Sequence, residues 1–277
     1  MRAMKWLGFL VVVGLAVLMA RSMLNRSTRH TTEQSKTLPT REIQVVLNPV
    51  SAKAAKLGPL DHCVAVTPDG IAVVGNVKGL WLVGGGQSRA TGVSGLGCFT
   101  FTPEGLLMGV RGRQLVYLDA RGQLKPLLRL PSTGMTLVPG FQDSLLLFGR
   151  DDKGIWDLYT IRPGRRVSLL LRSPRPITAA AETANHTLVV MDGALFIVEN
   201  GKVRLLAGEP KAKLTALAAD PAGNAIFVSD GRHIFRIEHG RPVVMTDDLG
   251  GTLRWQGGGL LVFDPRRPLL VRLVGVE

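Results

Sequence analysis

Cysteine and aromatic residues are scarce in this chain of 277 residues, which holds two cysteines and only 5% Phe, Trp and Tyr together. Two cysteines exclude a disulfide-dense scaffold and a four-cysteine zinc site. So few aromatics argue against a carbohydrate-binding or base-stacking surface, because both rely on exposed aromatic faces. Acidic residues are also in deficit, with 21 Asp and Glu against 34 Lys and Arg, a formal net charge of +13. That balance favours acidic partners, an acidic protein or anionic lipid, and without aromatic platforms it does not call for nucleic acid. Sustained helical periodicity is missing beyond the N-terminus. What is present is 45% apolar and 20% charged residues, which excludes a disordered chain and suffices for a sizeable core. The 33 Gly and 16 Pro point to many turns and so to β structure.

One uncharged run, Trp6 to Ala20, follows Arg2 and Lys5 and ends at Arg21. At 1.5 Å per residue it spans about 22 Å, short of the roughly 30 Å hydrocarbon core of a bilayer. Residues 1–24 therefore read as a signal peptide or as an uncleaved anchor extended through Met23 and Leu24 with Arg21 snorkelling. Leu18 stands where a cleavage site prefers a small residue, which favours the anchor. The short leading segment favours export, placing the remainder on the periplasmic or extracellular side, or secreting it if cleavage occurs. Residues 25–40 are polar and without apolar period, the composition of a flexible tether.

From residue 41 onward the chain repeats. Thr67-Pro68-Asp69-Gly70 returns as Thr102-Pro103-Glu104-Gly105, and weaker echoes follow up to Asp220-Pro221-Ala222-Gly223 and Gln256-Gly257-Gly258. A second series, Gly86-Gln87, Gly122-Gln123, Gly164-Arg165, Gly201-Lys202 and Gly240-Arg241, runs in phase with the first. Each turn lies between short apolar runs, where Pro, Asp, Asn and Gly supply the required backbone angles. One unit holds four strands, near Leu214 to Ala219, Ala225 to Ser229, His233 to Ile237 and Pro242 to Thr246. Six such units of about 36 residues fill the span from Leu60 to Glu277, the signature of an all-β, six-bladed β-propeller. After Gly250 only three strands fit, Thr252 to Trp255, Leu260 to Phe263 and Leu269 to Val274. The unassigned strand Glu42 to Leu47 is expected to complete the last blade and so to remove two exposed sheet edges.

The segment Asp220-Pro221-Ala222-Gly223-Asn224-Ala225-Ile226-Phe227-Val228-Ser229-Asp230-Gly231-Arg232-His233-Ile234 resembles one repeat of the NHL family, with echoes at Val190-Met191-Asp192 and Val262-Phe263-Asp264. The hairpin Gly154-Ile155-Trp156-Asp157-Leu158-Tyr159 is similar to a blade of TolB-type propellers. These resemblances imply a binding or scaffolding module. The related gluconolactonase-like propellers imply a second reading, a lactone hydrolase with one divalent metal in the axial pocket.

Asp192, Asp230 and Asp264 take the same place in successive units, between the second and third strands, with Asp151 or Asp152 near it in the third. They are weak candidates for a ring holding Ca²⁺, a hard ion that takes oxygen ligands. The alternative is that each carboxylate caps its own hairpin by accepting backbone N–H bonds. His62, His186, His233 and His239 have no spacing that pairs two on one strand face, so a zinc site is not expected. Asp61-His62, at the opening of the first inner strand, is the most plausible general-base candidate. Gly84-Gly85-Gly86 has neither a following helix nor a Lys-Ser partner and reads as a turn. Ser94 lacks the final Gly of a nucleophile elbow. No assembled catalytic set results. Cys63 and Cys98 hold equivalent positions on adjacent inner strands, which brings them near each other. Equivalent atoms on neighbouring blades usually lie beyond the roughly 7 Å Cα separation that a disulfide tolerates, so the bridge is left open. The face formed by the second-to-third-strand turns carries most of the basic excess. Arg111, Arg150, Arg232 and Arg266 are expected to contact a partner there.

Overall fold

A computed structural model describes residues 42–47, 63–67, 71–84, 87–102, 104–162, 166–208, 213–256, 258–267 and 269–276. The expected signal or anchor, the tether, Asp61 and His62 lie outside the described residues. Among those described, no helix is long and apolar enough to cross a membrane.

The described residues form six antiparallel sheets of four strands, the six blades of a β-propeller. The inner strands, in chain order, are Cys63–Val66, Cys98–Phe101, Thr136–Pro139, Ile177–Glu182, Ala216–Ala219 and Thr252–Gln256. Strand bounds lie within two residues of those read from the repeat in the fifth and sixth units. The sixth sheet has the order Glu42–Leu47, Leu269–Val274, Gly259–Asp264, Thr252–Gln256, so its outermost strand comes from the start of the propeller sequence. Glu42 stands opposite Val274 and Val45 opposite Val271.

Why the apolar runs are nearly continuous follows from where the core sits. Successive residues of a strand point to opposite faces of its sheet, and here both faces are covered by a neighbouring blade. Val64 packs with Phe263 and Leu270 in the seam between blades six and one, whereas Ala65, the next residue, packs with Phe99 and Val116 between blades one and two. Six such clusters occur, one at each seam. At the seam of blades five and six, Phe227 stacks on Trp255 with ring centroids 5.6 Å apart. Small residues serve the crowded inner strands, as in Ala179, Ala180 and Ala181 of blade four and Ala216, Ala218 and Ala219 of blade five, all buried. Burial fades outward: Val167, Leu169, Val203, Leu205, Val243 and Val244 on the outer strands of blades three to five are exposed. There the sheets diverge and only part of each face meets a neighbour.

The turns are built from the residue types the sequence supplies. Asp220 Oδ1 accepts the backbone N–H of Ala222 at 3.2 Å, and Gly223 takes φ +82° to bring its own N–H to the Asp220 carbonyl at 2.8 Å.

Candidate functional site

Alternating hairpins put the second-to-third-strand turns and the blade-to-blade connections on one face of the disc. This face bears the acidic and basic residues singled out from the sequence, and each turn holds its carboxylate differently. Asp192 occupies the left-handed region at φ 50°, followed by Gly193, as a two-residue hairpin turn requires. Its side chain is half exposed and 3.9 Å from Arg175 Nε. Asp230 Oδ1 accepts the backbone N–H groups of Arg232 at 2.8 Å and His233 at 2.7 Å, while Oδ2 lies 2.8 Å from His233 Nδ1. Asp264, the last residue of its strand, is fully buried. It receives the backbone N–H of Arg266 at 3.0 Å, the Arg266 guanidinium at 2.9 and 2.8 Å, and Arg267 Nε at 3.1 Å. Burial pushes the Asp230 and Asp264 carboxyls up, but the hydrogen bonds from His233 and from Arg266 outweigh it and hold both below the ordinary carboxylate value. In blade three Asp151 Oδ1 caps its turn through the N–H groups of Lys153 and Ile155, both at 2.8 Å, and Asp152 forms an ion pair with Arg113 of blade two.

Asp230 and Asp264 are therefore occupied within their own turns, while Asp192 is half exposed and lies near Arg175 of the preceding connection. Among the described residues no group of three or more His, Cys, Asp or Glu side chains could hold a metal ion. The inner strands, which face the axis, carry a single carboxylate, Glu182, and it is engaged: it accepts the Phe141 N–H at 2.9 Å and the Ser144 hydroxyl. The donor set of the described residues does not fit an axial divalent cation, and no chemical step is derived through one.

The four arginines expected to meet a partner fall into two kinds. Arg266 is committed to Asp264, and Arg150 Nε donates to the Gly154 carbonyl of its own loop at 3.1 Å. Arg111 and Arg232 are exposed, and among the described residues their guanidinium groups make no hydrogen bond or ion pair. The first pair is engaged within the face, and the second pair is unpaired among the described residues.

Two features of the face were not singled out from the sequence. Asp157, fully buried, receives Arg172 in a bidentate pair at 2.8 and 3.0 Å and the Tyr159 hydroxyl at 2.9 Å. The Arg172 bonds hold the Asp157 carboxyl below its ordinary value despite burial. Asp157 and Tyr159 alternate along a strand, which is a signal that they share a face; Arg172 comes from the next strand and carries no such mark. Beside Tyr159 an open cleft of about 510 Å³ runs between blades two and three, lined by Arg113, Arg129, Pro131, Leu147 and Val167. On the opposite face a smaller one of about 360 Å³ lies between blades four and five, beside His186 and Arg204.

No family model matches the sequence, and no curated protein matches it either. Solved structures do resemble the fold. A calcium-binding protein, regucalcin, from Agrobacterium tumefaciens superposes with a TM-score of 0.64 at 15% identity, over 84% of this chain and 94% of that one. A gluconolactonase from Xanthomonas campestris gives a TM-score of 0.59 at 12% identity, over 89% and 99%. A protein described as a putative gluconolactonase gives 0.57 at 14%, over 87% and 95%. At such identities the likeness is one of fold alone, that of a β-propeller.

Proposed function

We propose that this chain is a non-enzymatic propeller, exported and held at a membrane by residues 1–24, that docks an acidic partner on its basic face. The observation behind this reading is the division of labour on that face. Asp230 and Asp264 are consumed by their own turns, while Arg111 and Arg232 project without partners among the described residues. Unpaired guanidinium groups on a rigid disc offer forked donors to carboxylates or phosphates without prior cost of breaking an internal pair. Residues 25–40 would give the disc freedom to reorient above the bilayer, and the strand Glu42–Leu47 would close the ring directly after that tether. Carbonate extraction of native membranes tests the anchor: the full chain should remain in the pellet, and release into the supernatant would count against it.

A second reading is a gluconolactonase-like hydrolase working in the axial pocket, favoured by the fold likeness to gluconolactonases. The described inner strands offer no carboxylate cluster for it. Lactone opening by purified protein, measured with and without added Ca²⁺, separates the two: turnover that EDTA abolishes would establish the hydrolase and displace the docking module.

A further inference from the structure

The two cysteines meet at the inner ring. Cys63 and Cys98 each open the inner strand of their blade. Cys63 packs against the cluster that contains Cys98, and its Sγ lies 3.7 Å from the carbonyl oxygen of Gly97, the residue before Cys98. Cys98 Sγ also lies 3.4 Å from the Leu137 carbonyl of blade three. Both thiols are free; Cys98 is buried and Cys63 half-buried. A third group comes from the far end of the chain. Arg254, on the inner strand of blade six, donates from Nε to the Val64 carbonyl at 3.3 Å, next to Cys63.

In an apolar seam a thiol ordinarily becomes a weaker acid, because burial penalises the thiolate. Here the two sulfurs diverge. The neighbouring Cys63 thiol, aided by the positive charge of Arg254, lowers Cys98 to about 7. The Cys98 thiol beside it, together with burial, pushes Cys63 well above its ordinary value. Of the two, Cys98 is the stronger acid and Cys63 the weaker, the ordering that a nucleophilic and a resolving cysteine require.

We propose that Cys63 and Cys98 form an oxidisable dithiol that reduces a small peroxide and closes to a disulfide between blades one and two. The Cys98 thiolate attacks one peroxide oxygen; the O–O bond breaks, and the leaving hydroxide takes a proton from solvent, which gives Cys98 sulfenic acid and water. The Cys63 sulfur then attacks the Cys98 sulfur. The S–S bond forms, the S–O bond breaks, and hydroxide leaves with the Cys63 proton as a second water. Two electrons pass from the thiol pair to the peroxide. Hydrogen peroxide is the oxidant of fitting size, since it is little larger than water and must enter beside half-buried Cys63 to reach buried Cys98. Arg254 is a positioning residue that supports the thiolate from across the ring closure, and it does not touch the peroxide.

The test uses the full chain, reduced and then treated with hydrogen peroxide, quenched, unfolded and alkylated. The expected product lacks the mass of two hydrogens, yields one peptide pair linked through Cys63 and Cys98, and returns to the dithiol with dithiothreitol. Cys63→Ser should stop at Cys98 sulfenic acid, trapped by dimedone. Arg254→Met should move the thiolate absorbance of Cys98 to higher pH and slow oxidation at pH 7 by roughly threefold, a part of the shift because the Cys63 thiol remains beside it, with Arg254→Lys restoring most of both. The proposal is overturned if both thiols of the native chain remain alkylatable at peroxide levels that oxidise free cysteine, or if oxidation yields only intermolecular disulfides. An unchanged absorbance profile in Arg254→Met would remove the role given to Arg254.

Discussion

Replacing Asp264 by Asn changes almost no volume but removes a buried negative charge that two arginines share. Breaking a buried ion pair by removing one partner costs about 3–5 kcal/mol when the other charge stays buried. Here the partners do not stay buried: the Arg266 and Arg267 side chains are 39% and 43% exposed and regain water. Discounting for that screening leaves about 2–3 kcal/mol. A domain of this size shifts by about 2–4 °C per kcal/mol, so Asp264→Asn should lower Tm by roughly 4–12 °C in calorimetry. Asp192→Asn is the matched control, because that side chain is 55% exposed and its arginine is 3.9 Å away. It should cost no more than about 0.5 kcal/mol. The pH dependence follows from the depressed Asp264 carboxyl. Its contribution is fully present above the unfolded value near 3.9 and is lost as pH falls through the folded value. The Tm gap between native protein and Asp264→Asn should therefore hold constant above about pH 5 and close below about pH 4. Equal losses in Asp264→Asn and Asp192→Asn, or a gap that does not close in acid, would refute the burial argument.

Three further outcomes are expected. Arg172→Met leaves the buried Asp157 with only Tyr159, and should destabilise by about 3 kcal/mol or more in urea denaturation. Gly251→Ala should fold poorly or lose more than about 2 kcal/mol, since φ is +126° and a Cβ would lie 2.2 Å from the Phe263 carbonyl oxygen; Gly122→Ala, at φ +73° with open space around it, should lose only about 1 kcal/mol. Deleting residues 41–47 should broaden the unfolding transition or cause aggregation, because the last blade would keep three strands and an open edge; unchanged melting would sink the closure argument.

Much of the fold was legible because its determinants are local and repeated. Asp220 to Gly223 announces a turn through residues that make that turn's hydrogen bonds themselves, and Thr252 to Val274 falls short of four strands by simple counting. The aspartates of the second-to-third-strand turns were legible for the same reason, and Asp230 does cap its hairpin through N–H groups two and three residues on. What the sequence concealed depends on the ring. Whether Cys63 and Cys98 touch is set by the radius of the inner strands, which no spacing reveals. Arg254 reaches Val64 across 190 residues of chain, a contact that exists only once blade six packs against blade one. The split among the basic residues was hidden too. Arg111 ends its second strand and Arg266 lies in the turn after its own, and only Arg266 has a buried carboxylate two residues before it, which takes up its guanidinium.

That split sharpens the test of docking. Reversing Arg266 would strip Asp264 of one of its two arginine partners and confound binding with stability, so the informative variant is the double reversal Arg111→Glu and Arg232→Glu. Both side chains are exposed, and the fold should melt within about 1 °C of native, as isolated surface charges contribute little. The decisive measurement is recovery of bound partner from detergent-solubilised membranes by native and doubly reversed protein, across a series of salt concentrations. The account predicts that native protein retains an acidic partner at low salt and releases it as salt rises, while the reversed protein retains little at any salt. Equal recovery by the two proteins, with the same salt dependence, would contradict it.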